Sequence, residues 1–280
     1  MIKDITIGQY FPLNSIVHKL DPRTKLIFVI AFIIMVFVSN NFISLFFCLG
    51  ISLFVIGFSK IPLKTVFKGL RPIMLVIAVT SVLQIAYNNG GIVLVDFWKI
   101  KITSGGVLMA VFMALRISLL IVMSTMMTYT TSPTSLTNGL DRMFAPFKKI
   151  GLDFHTITMI MTIALRFIPT LIEEVDKIMS AQKSRGANFE QGSVVKRAKA
   201  LIPLFIPLLF NSIRRAYELA NAMTCRCYNG GVGKTTMNAL KLSKKDYLAL
   251  FVMAFVIVSV ILLNIFCGEY NAEFTFNLAV

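Results

Sequence analysis

Residues 26–58 read LIFVIAFIIMVFVSNNFISLFFCLGISLFVIGF, a nearly continuous apolar run interrupted at Ser39-Asn40-Asn41. As one helix it is about 50 Å long, against a bilayer core of about 30 Å. A single span would also put the basic cluster Lys60, Lys64, Lys68 and Arg71 across the membrane from the basic N-terminal segment. Both points predict a tight hairpin of two short spans that turns at the asparagine pair.

Outward from this hairpin, a third span is expected from about Pro72 to Tyr87, with Asn88-Asn89-Gly90-Gly91 as a turn. Trp98–Thr103 alternates apolar and polar residues, as a short strand or an interfacial segment anchored by the single tryptophan. A fourth span covers about 106–129 and contains Arg116. Arginine at mid-bilayer costs about 2.5–3.5 kcal/mol, and each Leu, Ile, Val or Phe returns about 0.3–0.6. The ten such residues from Val107 to Val122 offset it. Arg116 is either a bundle-packing arginine or part of a substrate path. The absence of acidic residues within the spans favours packing. Tyr247–Phe266 is the last span.

The 280 residues are 56% apolar, with a mean hydropathy of +0.78, which indicates an all-α polytopic membrane protein. The first ten residues lack the pattern of a cleavable signal. The net charge of +15 raises nucleic acid as a partner, but its distribution argues against that. Four Lys/Arg lie in 1–25, four in 59–71 and seventeen in 131–246, while the presumed outer segments hold Lys99 and Lys101. The positive-inside rule then predicts five spans with the N-terminus cytoplasmic. The expected divisions are a cytoplasmic segment 1–25, four spans within 26–130, a cytoplasmic platform 131–246, a fifth span 247–267 and an outer tail 268–280.

The platform reads as one short and two long helices. Ser132-Pro133 starts a short helix that ends near Phe144, ahead of Pro146. Thr156–Arg185 carries a helical apolar stripe, with Pro169 expected to kink it and Gly186 placed to close it in a left-handed turn. Val194–Arg226 is a second pattern, interrupted by Pro203 and Pro207 and so expected to be kinked or split. The ending Ala181-x-x-x-Arg185 recurs as Ala222-x-x-x-Arg226. Two equivalent cationic tips on one cytoplasmic platform point to a part that passes force from a soluble partner to the membrane.

Other motifs yield no chemistry. Gly231-Val-Gly-Lys-Thr235 lacks the first glycine of a phosphate loop, since that position is Tyr228. The pair Cys225 and Cys227 has no second ligand pair, so no metal site is expected, and the four cysteines are expected to be reduced. Glu173, Glu174 and Asp176 lie near Arg166 without a catalytic partner set. No catalytic residue and no cofactor site is expected. The alternative is a membrane enzyme using Glu173, Glu174 and Arg166, and a third reading is a self-sufficient permease.

Several blocks together resemble a known family. They are Gly8-Gln-Tyr10, His18-Lys-Leu-Asp21-Pro22-Arg23-Thr-Lys25-Leu26 and Thr130-Thr-Ser-Pro133. Arg166-Phe-Ile-Pro169-Thr-Leu-Ile-Glu173-Glu174 and Ala181-Gln-Lys-Ser-Arg185-Gly186-Ala follow in order. The chain resembles the transmembrane T component of energy-coupling factor transporters, ATP-driven prokaryotic importers, and most of all the type shared among several vitamin-binding partners. The resemblance implies a multi-pass protein of the prokaryotic cell membrane. It implies two ABC-type ATPases, which bind ATP and magnesium, docked at Ser184-Arg185-Gly186 and Cys225-Arg226-Cys227. Cys227 departs from the family's glycine and puts the close fit of the second tip in question. It also implies one or several substrate-binding S components resting near Leu201, Pro203, Phe205, Pro207 and Leu208. Asp21, Pro22, Arg23, Lys25, Arg166 and Pro169 belong to the family's structural motifs.

Overall fold

The structure is a computed structural model that describes residues 10–87, 90, 92–97, 100–146, 154–187, 189, 193–228 and 242–266. Gly8, Gln9, Asn88, Asn89, Gly91, Trp98, Lys99, the Gly231–Thr235 motif, Cys267 and the tail 268–280 lie outside the described residues.

Helix α1 is Pro22–Val38 and α2 is Phe42–Ser59, so the apolar run breaks at Ser39-Asn40-Asn41 as expected. Asp21 caps α1, its carboxylate accepting the Arg23 N–H at 3.0 Å, and Pro22 takes the first helical position. There proline's missing donor removes no helical bond. At the far end the Ser39 hydroxyl and N–H both donate to the Met35 carbonyl.

The third apolar stretch starts earlier than the expected Pro72. Helix α3, Leu63–Leu70, passes through a 3-10 turn at Arg71–Ile73 into α4, Met74–Tyr87. Pro72 tightens the backbone without ending it. Strands β1, Val93–Phe97, and β2, Ile100–Thr103, pair antiparallel, so the alternating stretch is half of a small hairpin. Helix α5, Ser104–Thr130, begins where the Thr103 hydroxyl accepts the Gly106 N–H at 3.2 Å. Then come α6, Pro133–Phe144, α7, Phe154–Ser184, α8, Val194–Cys225, and α9, Lys244–Phe266.

α7 runs through Pro169, and α8 is one helix through Pro203 and Pro207 rather than two in series. Prolines four residues apart remove hydrogen bonds along one stripe of the helix, and the remaining stripes carry it through.

The helices form two compact units. One contains α1–α5 and α9, the other α6–α8. In the first, α5 is the hub, packing against α1, α2, α3 and α4. Phe32, Val36, Leu45, Cys48, Phe112, Met123 and Val260 form its core. In the second, α7 packs against α6 and α8. The Thr158 hydroxyl donates to Asp141 at 2.8 Å, His155 Nδ1 lies 3.2 Å from the same carboxylate, and Phe144 stacks on Phe154.

Five described stretches are long and apolar enough to cross a membrane: α2, Leu63–Tyr87, α5, α7 and α9. The chain is therefore an all-α polytopic protein apart from one hairpin. The set differs from the expected spans in two places. α1, at 17 residues, is shorter than these five stretches, and α7 enters because its charges gather beyond Arg166.

Candidate functional site

Both long helices end in the same turn. In α7 the Gly186 N–H donates to the Lys183 carbonyl and the Ala187 N–H to the Gln182 carbonyl, each at 3.0 Å. In α8 the Cys227 N–H donates to Thr224 at 2.9 Å and the Tyr228 N–H to Met223 at 3.0 Å. Each turn satisfies carbonyls that a helix end leaves free, and each needs a left-handed residue after the cap. Gly186 has φ +85°, as its position predicts, while Cys227 has φ +57° despite its side chain. An L-residue there carries about 1–2 kcal/mol of strain.

Arg185 and Arg226 are the cap residues of these turns. Ser184, Arg185, Gly186, Cys225, Arg226 and Cys227 are all exposed. The two guanidinium groups therefore sit at the negative ends of two helix dipoles, free to reach outward.

The pairing of α7 with α8 sets their separation. Glu174 accepts a hydrogen bond from the Asn211 side chain and pairs with Arg215 at 3.1 Å. The Tyr228 hydroxyl donates to the Met159 sulfur at 2.8 Å. Later residues of α7 thus meet earlier residues of α8, and the helices run antiparallel. Tyr228, two residues beyond Arg226, sits at Met159, far from Arg185 along α7. At 1.5 Å per residue the two tips lie about 40 Å apart.

Leu204 faces inward on α8, and Leu208, Asn211 and Arg215 follow on the side turned to α7. At 100° per residue, Leu201 and Phe205 lie on one flank of this inner side and Pro203 and Pro207 on the other. Leu201 and Phe205 are exposed, Pro203 is exposed, and Pro207 and Leu208 are half-buried. The broadest apolar face lies beyond Leu201 and Phe205. Ile202, Ile206, Leu209, Phe210, Ile213 and Tyr217 are all exposed there, Phe210 at 68% and Tyr217 at 69%. Sequence reading followed the neighbouring stripe of small and apolar residues and missed this one. A search for apolar residues at 202, 206, 209, 213 and 217 finds it.

A second constellation lies in the other unit. Asp246 is 2% exposed. One of its oxygens accepts the Asp21 N–H at 2.8 Å and the Thr24 hydroxyl at 3.4 Å, and the other accepts the Ser243 N–H at 2.7 Å. The bond to Ser243 is the reciprocal half of a helix-capping box. Lys25 Nζ donates to the Thr130 carbonyl at 2.8 Å and to the His18 carbonyl at 3.1 Å. The Phe11 N–H donates to the Tyr129 carbonyl at 3.0 Å. The Asp21-Pro22-Arg23-Lys25 block thus fastens the N-terminal segment, the end of α5 and the start of α9. Asp246 is the residue here that the sequence did not indicate.

Arg116 donates to the Ser39 carbonyl and lies over the Phe112 ring, 4.6 Å from its centroid. It closes the free end of α1 against α5, which is a packing role. Glu174 is engaged between the helices, and Arg166 and Glu173 are exposed. Cys48, Cys225 and Cys227 are free thiols, and no cluster of metal-ligating side chains occurs among the described residues.

The family model CbiQ, described as a cobalt transport protein, matches residues 13–237. The energy-coupling factor transporter transmembrane protein EcfT of Clostridium kluyveri is 44% identical over 270 residues, covering 96% of this chain and 100% of its own. The protein of that name from Acidaminococcus fermentans is 45% identical over 254 residues, covering 90% and 94%. That from Bacillus subtilis is 40% identical over 247 residues, covering 88% and 93%. Near full-length identity at this level, on a bundle of apolar helices, means that the chain belongs to the CbiQ family, as a transmembrane T component of energy-coupling factor transporters.

Proposed function

We propose that this chain couples ATP hydrolysis in two ABC-type ATPases to a substrate-binding S component, for uptake of a vitamin or related micronutrient. The ATPases bind ATP and magnesium, and this chain makes and breaks no covalent bond. The observation that carries the reading is the pair of matched arginine turns about 40 Å apart at opposite ends of an antiparallel helix pair. Two ends so separated serve two sockets, one in each ATPase.

In this reading each arginine fork enters a groove and hydrogen-bonds carboxylates or backbone carbonyls. Closure of the ATPases on ATP moves the tips, and α7 and α8 shift like scissors. The apolar face of α8, from Leu201 and Phe205 outward, then changes its fit to the S component. One or several S components use that face in turn and carry the choice of substrate. In this reading the platform 131–246 and the N-terminus are cytoplasmic, a placement supported by the seventeen Lys/Arg in that segment, and α7 stays out of the bilayer although it is long and apolar enough to cross it.

ATP-dependent vitamin uptake by vesicles containing the whole complex tests the reading. Arg185→Ala and Arg226→Ala each remove a charge partner at a buried contact, worth about 2–5 kcal/mol of association. Uptake should fall at least tenfold in each. Uptake at the wild-type rate in both variants overturns the reading.

A further inference from the structure

The search for a second site leads to α3. Its inner side is fixed against α5: Val66 is buried, and a Cβ on Gly69 would meet Thr125 Cγ2 at 3.0 Å and the Tyr129 hydroxyl at 3.2 Å. The opposite side is therefore held outward. On it Lys64 and Lys68, with Arg71 in the 3-10 turn that follows, form an exposed ridge one turn apart, and Lys60, the left-handed residue that ends α2, is exposed just ahead of α3. Beside that ridge lie Leu63, 56% exposed, and Phe67, 67% exposed.

Two facts say what this surface fits. None of the four cations pairs with a carboxylate among the described residues, and the sequence holds no Asp or Glu between Asp21 and Asp96. Their counter-charge is not supplied by their own segment. The apolar ridge also continues along the chain into the exposed face of α4, at Met74, Leu75, Val79 and Val82. The stretch Leu63–Tyr87 is 25 residues. At about 37 Å it exceeds a core of about 30 Å, so α3 reaches the headgroup layer. A water-soluble acidic partner matches the charges but not an apolar ridge continuous with a membrane span.

We infer that α3 is a binding surface for anionic phospholipid headgroups, with Lys60, Lys64, Lys68 and Arg71 on the phosphates and Leu63 and Phe67 among the upper acyl chains. The surface uses none of the residues of the arginine tips, so it stands or falls apart from ATPase coupling.

The test uses the full chain in mild detergent, incubated with an equal mixture of phosphatidylglycerol and phosphatidylcholine, with bound lipid read by native mass spectrometry. Wild type is expected to retain phosphatidylglycerol over phosphatidylcholine about tenfold, with the preference falling as salt rises. Lys64→Gln/Lys68→Gln should bring the two lipids close to parity. Phe67→Ser should lower retention of both. The charge-matched control Lys177→Gln/Lys199→Gln, in the other unit, should keep the wild-type preference. Equal lipid retention by wild type, an unchanged preference in the α3 variant, or an equal loss in the control each overturns the proposal. So does displacement of the bound lipid by a soluble polyglutamate peptide, which would make α3 a docking surface for acidic protein.

Discussion

The two units of this chain solve the problem of charge and apolar surface in opposite ways. Around α5 the chain buries a carboxylate, Asp246, and satisfies it with three donors from two elements. In the α6–α8 unit the longest helix, α8, buries a single apolar side chain among its described residues, Leu204, and leaves Phe205, Phe210 and Tyr217 in the open. The first unit is held by its own interior. The second keeps its helices together through a few polar links and presents the rest. An apolar helix face this long, next to two free cationic ends, is a surface made to be covered.

Substitutions can sharpen that contrast. The largest effect is expected at Asp246. Asp246→Ala leaves the buried Asp21 N–H without its acceptor, removes the capping bond to Ser243 and strips Lys25 of a nearby charge, and should cost about 3–5 kcal/mol. Thermal unfolding in detergent reads it, and a drop below 1 kcal/mol would break the distinction between the units.

The matched turns allow an opposed pair within the second unit. Cys227→Gly relieves a left-handed backbone and should stabilise the end of α8 by about 1 kcal/mol, while Gly186→Ala should cost α7 a similar amount. Hydrogen exchange at the helix ends checks both. Glu174→Gln keeps the Asn211 bond and loses the Arg215 pair. With Arg215 partly exposed, that should cost about 0.5–1 kcal/mol.

The smallest effect is set by pH. Burial, together with the charge of Lys25, lowers the His18 pKa below its ordinary 6.5. As pH falls through 6.5 the unfolded chain takes up a proton that the folded chain resists, so stability declines on the acid side. His18→Gln should flatten the dependence of the melting temperature between pH 7 and pH 5.5.

The local features of the fold were legible in the sequence because they rest on neighbouring residues. The Asn40-Asn41 break, the Asp21-Pro22 start of α1 and the left-handed Gly186 all follow from short-range backbone chemistry. The Arg185 and Arg226 tips were visible for the same reason. What the sequence hid is long-range or concerns tolerance of a local rule. Nothing near Asp246 announces that Asp21, 225 residues away, donates to it. Pro203 and Pro207 read as a kink or a split, and of these the split does not occur, since one interrupted stripe leaves α8 a single helix. The small and apolar stripe through Leu201 and Phe205 drew attention from the broader exposed face through Ile206 and Ile213, because periodicity finds an apolar stripe without saying how far the exposed face extends.

The most direct test of the account is co-purification. The chain is expressed with the ATPases and small membrane proteins of its own operon or genome, extracted in mild detergent and identified with its partners by mass spectrometry. Wild type should bring down two ATPase copies, and Arg185→Glu/Arg226→Glu should bring down none while keeping its own fold by thermal unfolding. Full recovery of the ATPases with the double variant would contradict the claim that these two helix ends are the docking elements.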